Sequence, residues 1–273
     1  MWRTIRLDAA DLARAFAGAA VERGDSVLVH SSLSSLGWVD GGADTVVEAL
    51  VASVGLDGTV LFPTLTGSGE DSPASPPVFD VRSTPCWTGA IPEAARNRPD
   101  AVRSLHPTHS VVAIGRLDRW LTSDHRHVRT PCGFGSPYDK LAGIGGKIVL
   151  VGVTQAVNTS FHMAEEMAGA PYVLQDWPMD ITMTGTRGEP VVMHGTHLHR
   201  HGVKRDYDSL EPELIRLGIC HVRQVGEAEV RVVDAMLLRM FLVRKLLEDP
   251  LAVLDMTERA KWNATRVQRR SPS

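Results

Sequence analysis

The sequence predicts an α/β protein, a three-layer α/β/α arrangement around a largely parallel or mixed central sheet, with a smaller β-rich portion toward the C-terminus. Three observations carry this. Ser26 to His30, Ala43 to Val54 and Gly58 to Pro63 read as strand, amphipathic helix and strand, the unit from which parallel sheets are built. Lys147 to Val153 is an apolar run that leaves the core and enters a helix carrying His162 after a short polar link. Asp180 to Thr184 and Glu189 to His194 flank Gly185 to Gly188 and read as a β-hairpin.

Taken in order, Asp8 caps a helical stripe that runs to about Arg23, with Leu12, Phe16 and Ala19 on one face. The strand at Ser26 ends in a polar turn, His30 to Gly37, ahead of the helix from Ala43. Thr64 to Trp87 is rich in Gly, Ser and Pro, too long for an idle connection, and reads as a flap over a site. Thr88 is expected to cap a helix through Arg96. Val111 to Ile114 is a strand, Leu117 to Ser123 a short helix, and the Gly/Pro loop from Thr130 to Tyr138 leads into another short helix. Past the hairpin come a helix near Ser209 to Leu217, strands around His221 to Val225 and Val230 to Val233, and a long helix from Asp234 to Leu247.

At 273 residues and 43% hydrophobic, the chain can bury a full core. One domain over 1–260 is expected, with 261–273 as a flexible polar tail. Twenty-nine basic residues against 32 acidic ones leave a net charge of −3 without long runs of either sign, which disfavours nucleic acid. Cys86, Cys132 and Cys220 are widely spaced, which argues against a disulfide framework or structural zinc and suits a reducing cytoplasm. No apolar run approaches the roughly 18 residues a membrane span needs.

Chemistry concentrates at Asn158 to Glu166. A helix starting there at a sheet edge places His162 at the mouth of a site, with Glu165 three residues on and on the same face, the minimum for a general base. The other reading is a capped helix with a structural histidine. The serines of the first turn suit an anion or simply make a turn. Arg103 to Ser110 groups a cation, two histidines and hydroxyls, the makings of an anion site or a surface loop. Cys132 is a nucleophile or an inert loop cysteine. His197, His199 and His201 alternate and on a strand would share a face, for metal or, as preferred here, for hydrogen bonding to substrate.

Several stretches then fall into one pattern. Val27-Leu28-Val29-His30-Ser31-Ser32-Leu33 with Gly37, Arg103-Ser104-x-His106-Pro107, Ser136-Pro137, Leu150-Val151-Gly152-Val153, Asn158-Thr159-x-x-His162-x-Ala164-Glu165, Val225-Gly226-x-Ala228 and Asp249-Pro250 resemble, in order, the blocks of the aminoglycoside 3-N-acetyltransferases. The resemblance covers about residues 8 to 255. It implies transfer of an acetyl group from acetyl-CoA, as co-substrate, to the 3-amino group of an aminoglycoside, with His162 as the catalytic base and Asp206 or Glu165 orienting it. It also implies a coenzyme cleft lined by His30, Ser31, Ser32, Leu33, Ser34, Ser35, Leu36, Arg103, Ser104, Ser110, Ser136 and Val153. Asn158, Thr159, His197, His199 and Asp206 fall on the acceptor side. Thr159 or Ser160 is the candidate for steadying an oxyanion. No metal is expected, and the protein is taken as a monomer or homodimer acting on a small amine, without nucleic acid or membrane.

One departure bears on the acceptor. Several aminoglycoside-modifying members carry acidic residues where this chain has His194 to His201, four histidines and Arg200. A different amine, or a coenzyme-binding member without turnover, is the alternative. A hydrolase using Ser31, Ser32 or Cys132 is the rival chemistry, although the chain lacks a GxSxG elbow.

Overall fold

The computed structural model describes residues 6–19 and 21–270. The first half contains β1 (Arg6–Leu7), α1 (Ala9–Gly18), β2 (Ser26–Ser31), β3 (Trp38–Val39), α2 (Gly42–Val54), β4 (Thr59–Pro63), α3 (Ala90–Arg96), β5 (Val102–Arg103), β6 (Val111–Gly115), α4 (Asp118–Thr122) and α5 (Pro137–Gly143). The second half contains β7 (Lys147–Val151), α6 (Ser160–Met167), β8 (Met179–Thr184), β9 (Pro190–Thr196), α7 (Glu211–Arg216), β10 (Cys220–Val225), β11 (Ala228–Asp234), α8 (Ala235–Glu248) and α9 (Met256–Arg270). Asp8 and Asp11 form a capping box on α1, which stops at Gly18 and not near Arg23. At α3 the cap is Gly89; the expected cap, Thr88, donates its hydroxyl to the Pro63 carbonyl instead.

The central sheet has seven strands in the order β10-β11-β7-β2-β4-β6-β5. Its middle is parallel, with β2 between β4 and β7. Antiparallel strands extend it on both sides, so the sheet is mixed.

Side-chain alternation divides the core into two layers. Val27, Val29, Val60, Phe62, Val149 and Val151 face one way, toward Leu12 and Phe16 of α1 and Val46 and Leu50 of α2. Leu28, Leu61, Ile148 and Leu150 face the other way, toward Leu141 of α5, Phe161 of α6 and Leu238 and Leu242 of α8. Strands apolar on both faces are what a sheet covered on both sides requires.

The hairpin β8–β9 stays separate and has its own cluster, in which Phe79, Val81, Met179, Ile181, Met183 and Met193 are buried together. The segment from Thr64 to Trp87 drapes over it and is pinned, with Val81 N–H donating to Thr184 O at 3.1 Å and Thr66 N–H to Thr108 O at 3.0 Å. Beyond β11, the expected frayed tail is helical as far as Arg270. Trp262 of α9 packs against the core, its ring 6.1 Å from that of Tyr172. Residues 271–273 lie outside the described residues.

The exit from β7 fixes the serine turn that follows β2. Gly152 has φ +62, and a Cβ there would lie 1.7 Å from Ser35 Oγ and 2.2 Å from its Cβ. Both a left-handed backbone and empty space are therefore required. Gly152→Ala is expected to cost about 1–3 kcal/mol through overpacking, read as a lower urea midpoint at unchanged slope.

Candidate active site

The parallel strands β2 and β7 end at the same edge of the sheet, where α/β proteins hold their ligands. There β2 delivers His30 and Ser31, while the chain beyond β7 delivers Val153, Asn158, Thr159 and, in the first turn of α6, His162. A cleft of about 370 Å³ lies between them, walled also by Pro63, Leu65, Trp87 and Tyr207. A second compartment of about 220 Å³ shares Leu65, Trp87 and His162 with the first. His162 stands where the two meet.

The His162 ring is held from behind. Its Nδ1 lies 2.7 Å from Glu165 Oε2, and the Tyr207 hydroxyl lies 3.1 Å from the same nitrogen. Arg205 Nε donates to both Glu165 oxygens at 2.9 and 3.2 Å. Burial alone pushes the Glu165 carboxyl up. The hydrogen bond from His162 and the charges of His162 and Arg205 outweigh that and hold it below the ordinary glutamate value. An ionised Glu165 fixes the proton on Nδ1, and among the described residues no hydrogen bond engages Nε2. Nε2 is therefore the ring nitrogen left with a free lone pair.

Glu166, the next residue, is in the opposite state. Burial pushes its carboxyl up to about 8, despite bonds from Thr130 and the Cys132 N–H. It sits 2.6 Å from His199 Nε2, and burial together with the neighbouring His109 and His162 holds His199 well below an ordinary histidine. A protonated Glu166 thus donates to a neutral His199. Nδ1 of His199 continues the chain to His109 Nε2 at 3.1 Å, and His109 Nδ1 lies 2.9 Å from the Thr108 hydroxyl.

The difference has a pH signature. Between the ordinary value of 4.5 and about 8 the folded protein keeps a proton on Glu166 that the unfolded chain has released. Stability from this group is therefore complete at low pH and is lost as pH rises through that window. Glu166→Gln keeps a donor toward His199 and cannot ionise. Its Tm relative to wild type is expected to rise from about pH 5 to about pH 8, measured by thermal unfolding in matched buffers.

Only part of the expected set converges. His30, Ser31, Val153, Asn158, Thr159 and His162 line the first cleft, and His199 lines the second. Asp206 is exposed and caps a turn, its carboxylate accepting the Ser209 N–H at 3.1 Å. The backbone is extended there, with Arg205 bridged to Leu254, so Arg205 and Tyr207 point inward and Asp206 outward. His197 turns away to Gln175 O at 3.0 Å, and the three alternating histidines share no strand face because β9 ends at Thr196. Ser32 and Ser34 pair with each other, Ser35 bonds Ser32 O, and Leu33 and Leu36 pack into the core.

Arg103, Ser104, Ser110 and Ser136 line neither compartment. Arg103 lies over Phe79 at 4.8 Å and bonds Thr64 O, Thr84 O and Ser110 Oγ, pinning the long loop. Burial lowers its guanidinium to about 10. Ser104 pairs with His125 Nδ1 at 2.9 Å, and Ser136 caps α5. Ser160 N–H is taken by Asn158 Oδ1, leaving Thr159 of that pair on the cleft wall. Cys132 is fully buried, and burial and Glu166 drive its thiol well above the normal range, the reverse of an activated nucleophile. It does lie with His109 and His199 in a group whose ligand atoms are within 4.8 Å of one another.

Sequence reasoning missed Arg205, Tyr207 and Glu166; His109 fell within the Arg103 to Ser110 group, and Leu65 and Trp87 within the expected flap, without being singled out. The signal for the first two was available: an Arg-x-Tyr alternation around the acid that was chosen.

The family model for aminoglycoside 3-N-acetyltransferase matches residues 28–246. The chain belongs to that family. Aminoglycoside N(3)-acetyltransferase VIII of Streptomyces fradiae is 35% identical over 196 residues, 64% of this chain and 67% of that protein. Aminoglycoside N(3)-acetyltransferase III of Serratia marcescens is 37% identical over 168 residues, so the match spans 56% of this chain and 62% of that one. Among solved 3-N-acetyltransferase structures, AAC-IIIb in binary complex with CoASH superposes with a TM-score of 0.75 at 26% identity, covering 89% of this chain and 97% of its own.

Proposed function

We propose that this aminoglycoside 3-N-acetyltransferase family member moves the acetyl group of acetyl-CoA to an amine, the 3-amino group of an aminoglycoside. The single observation that carries the mechanism is the His162 ring, fixed on Nδ1 by Glu165 and Tyr207 with Nε2 uncommitted between two compartments. The first compartment suits the acyl donor. His30 Nε2 and Ser31 Oγ are buried at its wall with no hydrogen-bond partner among the described residues, and burial keeps His30 neutral by pulling it down to about 3. An uncharged imidazole and a hydroxyl fit the amides and thioester of an acyl-CoA arm, whose polar groups would pair with them.

In the reaction the acceptor attacks as the neutral amine, and Nε2 of His162 takes the proton that this nitrogen loses on bonding to carbon. The nitrogen adds to the thioester carbonyl, and the tetrahedral intermediate collapses with the C–S bond breaking to release the thiolate of CoA. The protonated imidazole returns the proton to that sulfur. Glu165 stabilises the imidazolium while it exists, and Arg205 keeps Glu165 ionised. Thr159, on the cleft wall, is the candidate donor to the carbonyl oxygen as charge develops on it.

The test is release of free thiol from acetyl-CoA across gentamicin- and kanamycin-type compounds and unrelated amines, with the acetylated nitrogen located by NMR. Release with aminoglycosides and acetylation at the 3-amino group is the expected result. Release with other amines alone would keep the acetyltransferase and remove the aminoglycoside. Silence with every amine would remove both.

A further inference from the structure

Three segments far apart in the chain meet behind the second compartment. His109 stands ahead of β6, Cys132 between α4 and α5, and His199 beyond the end of β9. One nitrogen of each histidine and the Cys132 thiol form a group of ligand atoms that lie within 4.8 Å of one another. Cys132 and His199 are buried and His109 is half-buried, and both histidines border the compartment, which gives an ion a way in.

The two imidazoles are oriented as a pair of metal ligands would be. Their inner nitrogens face each other, with His199 Nδ1 at 3.1 Å from His109 Nε2. Two nitrogens on one tetrahedral zinc, each at roughly 2.0–2.1 Å, stand about 3.4 Å apart. Their outer nitrogens are both held, His199 Nε2 by Glu166 Oε1 at 2.6 Å and His109 Nδ1 by the Thr108 hydroxyl at 2.9 Å. A polar group behind each ring is the support that fixes a ligating histidine. The cysteine adds a soft sulfur, which favours zinc over magnesium or calcium.

We propose that His109, Cys132 and His199 form a binding site for a zinc-type dication, its fourth position turned toward the second compartment. Sequence spacing gave no sign of it, because each ligand comes from a different segment. Protons and charge balance on loading. Beforehand, protonated Glu166 donates to His199 Nε2, and His199 Nδ1–H donates to His109 Nε2. As the ion binds, the Glu166 proton passes to His199 Nε2, while the Nδ1 proton and the Cys132 thiol proton leave to solvent. The dication then faces one thiolate and one carboxylate, a neutral set. Burial raises the thiol before loading, and the charge of the ion reverses that. Arg205, on the same compartment wall, is ion-paired to Glu165.

The test uses the full chain, stripped with a chelator, and no readout involves turnover, so it stands apart from the acetyltransferase reading. Co²⁺ is titrated first as a spectroscopic probe, then Zn²⁺ by calorimetry. One equivalent of Co²⁺ is expected to bind with a thiolate-to-cobalt charge-transfer band, and Zn²⁺ to displace it. Because the ion ties three segments together, excess Zn²⁺ should raise Tm by about 3 °C or more, and millimolar Mg²⁺ should not.

Cys132→Ala should abolish the charge-transfer band. Glu166→Gln, which keeps a partner for His199 but removes the carboxylate, should weaken Zn²⁺ binding by about 10- to 100-fold. The wild-type spectrum decides the matter even where a variant folds poorly. No stoichiometric binding, or binding without a thiolate band, overturns the proposal. A band that survives in Cys132→Ala places the ion on another cysteine and overturns it as well.

Discussion

His162→Ala is expected to lower kcat/KM for acetyl transfer by about 10²- to 10⁴-fold, while calorimetry still shows coenzyme binding. The donor compartment keeps His30, Ser31, Val153 and Asn158 in this variant, so the walls that would hold the acyl-CoA arm are unchanged. What is lost is a proton acceptor needed only as the amine attacks. kcat and kcat/KM should therefore fall together. A folded His162→Ala protein that turns over at the wild-type rate would show that the imidazole is a bystander and that the base must be sought elsewhere in the cleft.

Glu165→Gln should damage the protein in two ways at once. The Arg205 side chain is 13% exposed and Glu165 fully buried, so the change strands a guanidinium in the interior. Removing one partner of such a pair costs about 3–5 kcal/mol, visible in chemical denaturation. The catalytic loss has a separate cause. A glutamine amide can donate to Nδ1, which moves the imidazole proton to Nε2 and takes the free lone pair out of the cleft.

Activity of Glu165→Gln should therefore fall by about 10²-fold or more, and the fall should be largely absent when His162 is already alanine. Additive losses in the double variant would mean that the carboxylate acts independently of the ring. Glu166→Gln, one residue away, is the control, because that carboxyl is uncharged in the native protein.

Much of the fold is visible in the residues themselves. Val27 to Val29 and Ile148 to Val151 are apolar at every position, which only a sheet covered on both sides explains. His162 and its i+3 carboxylate were legible because both constraints act within one helical turn. Whatever depended on direction was not. Asp206 was preferred to its neighbours for its charge, but a bridge to Leu254, 49 positions along the chain, decides which way the segment faces. Ser104, Ser110 and Ser136 were grouped with the coenzyme cleft, and each is consumed by a backbone or histidine partner that no spacing rule reveals. The protonation of Glu166 has no local signal, since it arises from distant groups closing over it.

The pairing of β2 with β7 also sets an order of events. Ser26 meets Thr59 soon after leaving the ribosome, whereas Val27 has its other neighbour only once Lys147 has emerged. Closing so long a loop is slow compared with forming the nearby β2–β4 pair. Nascent chains arrested before that point are expected to hold His30 and Ser31 on an open flank, since the strand that completes the crevice lies in the second half of the polypeptide.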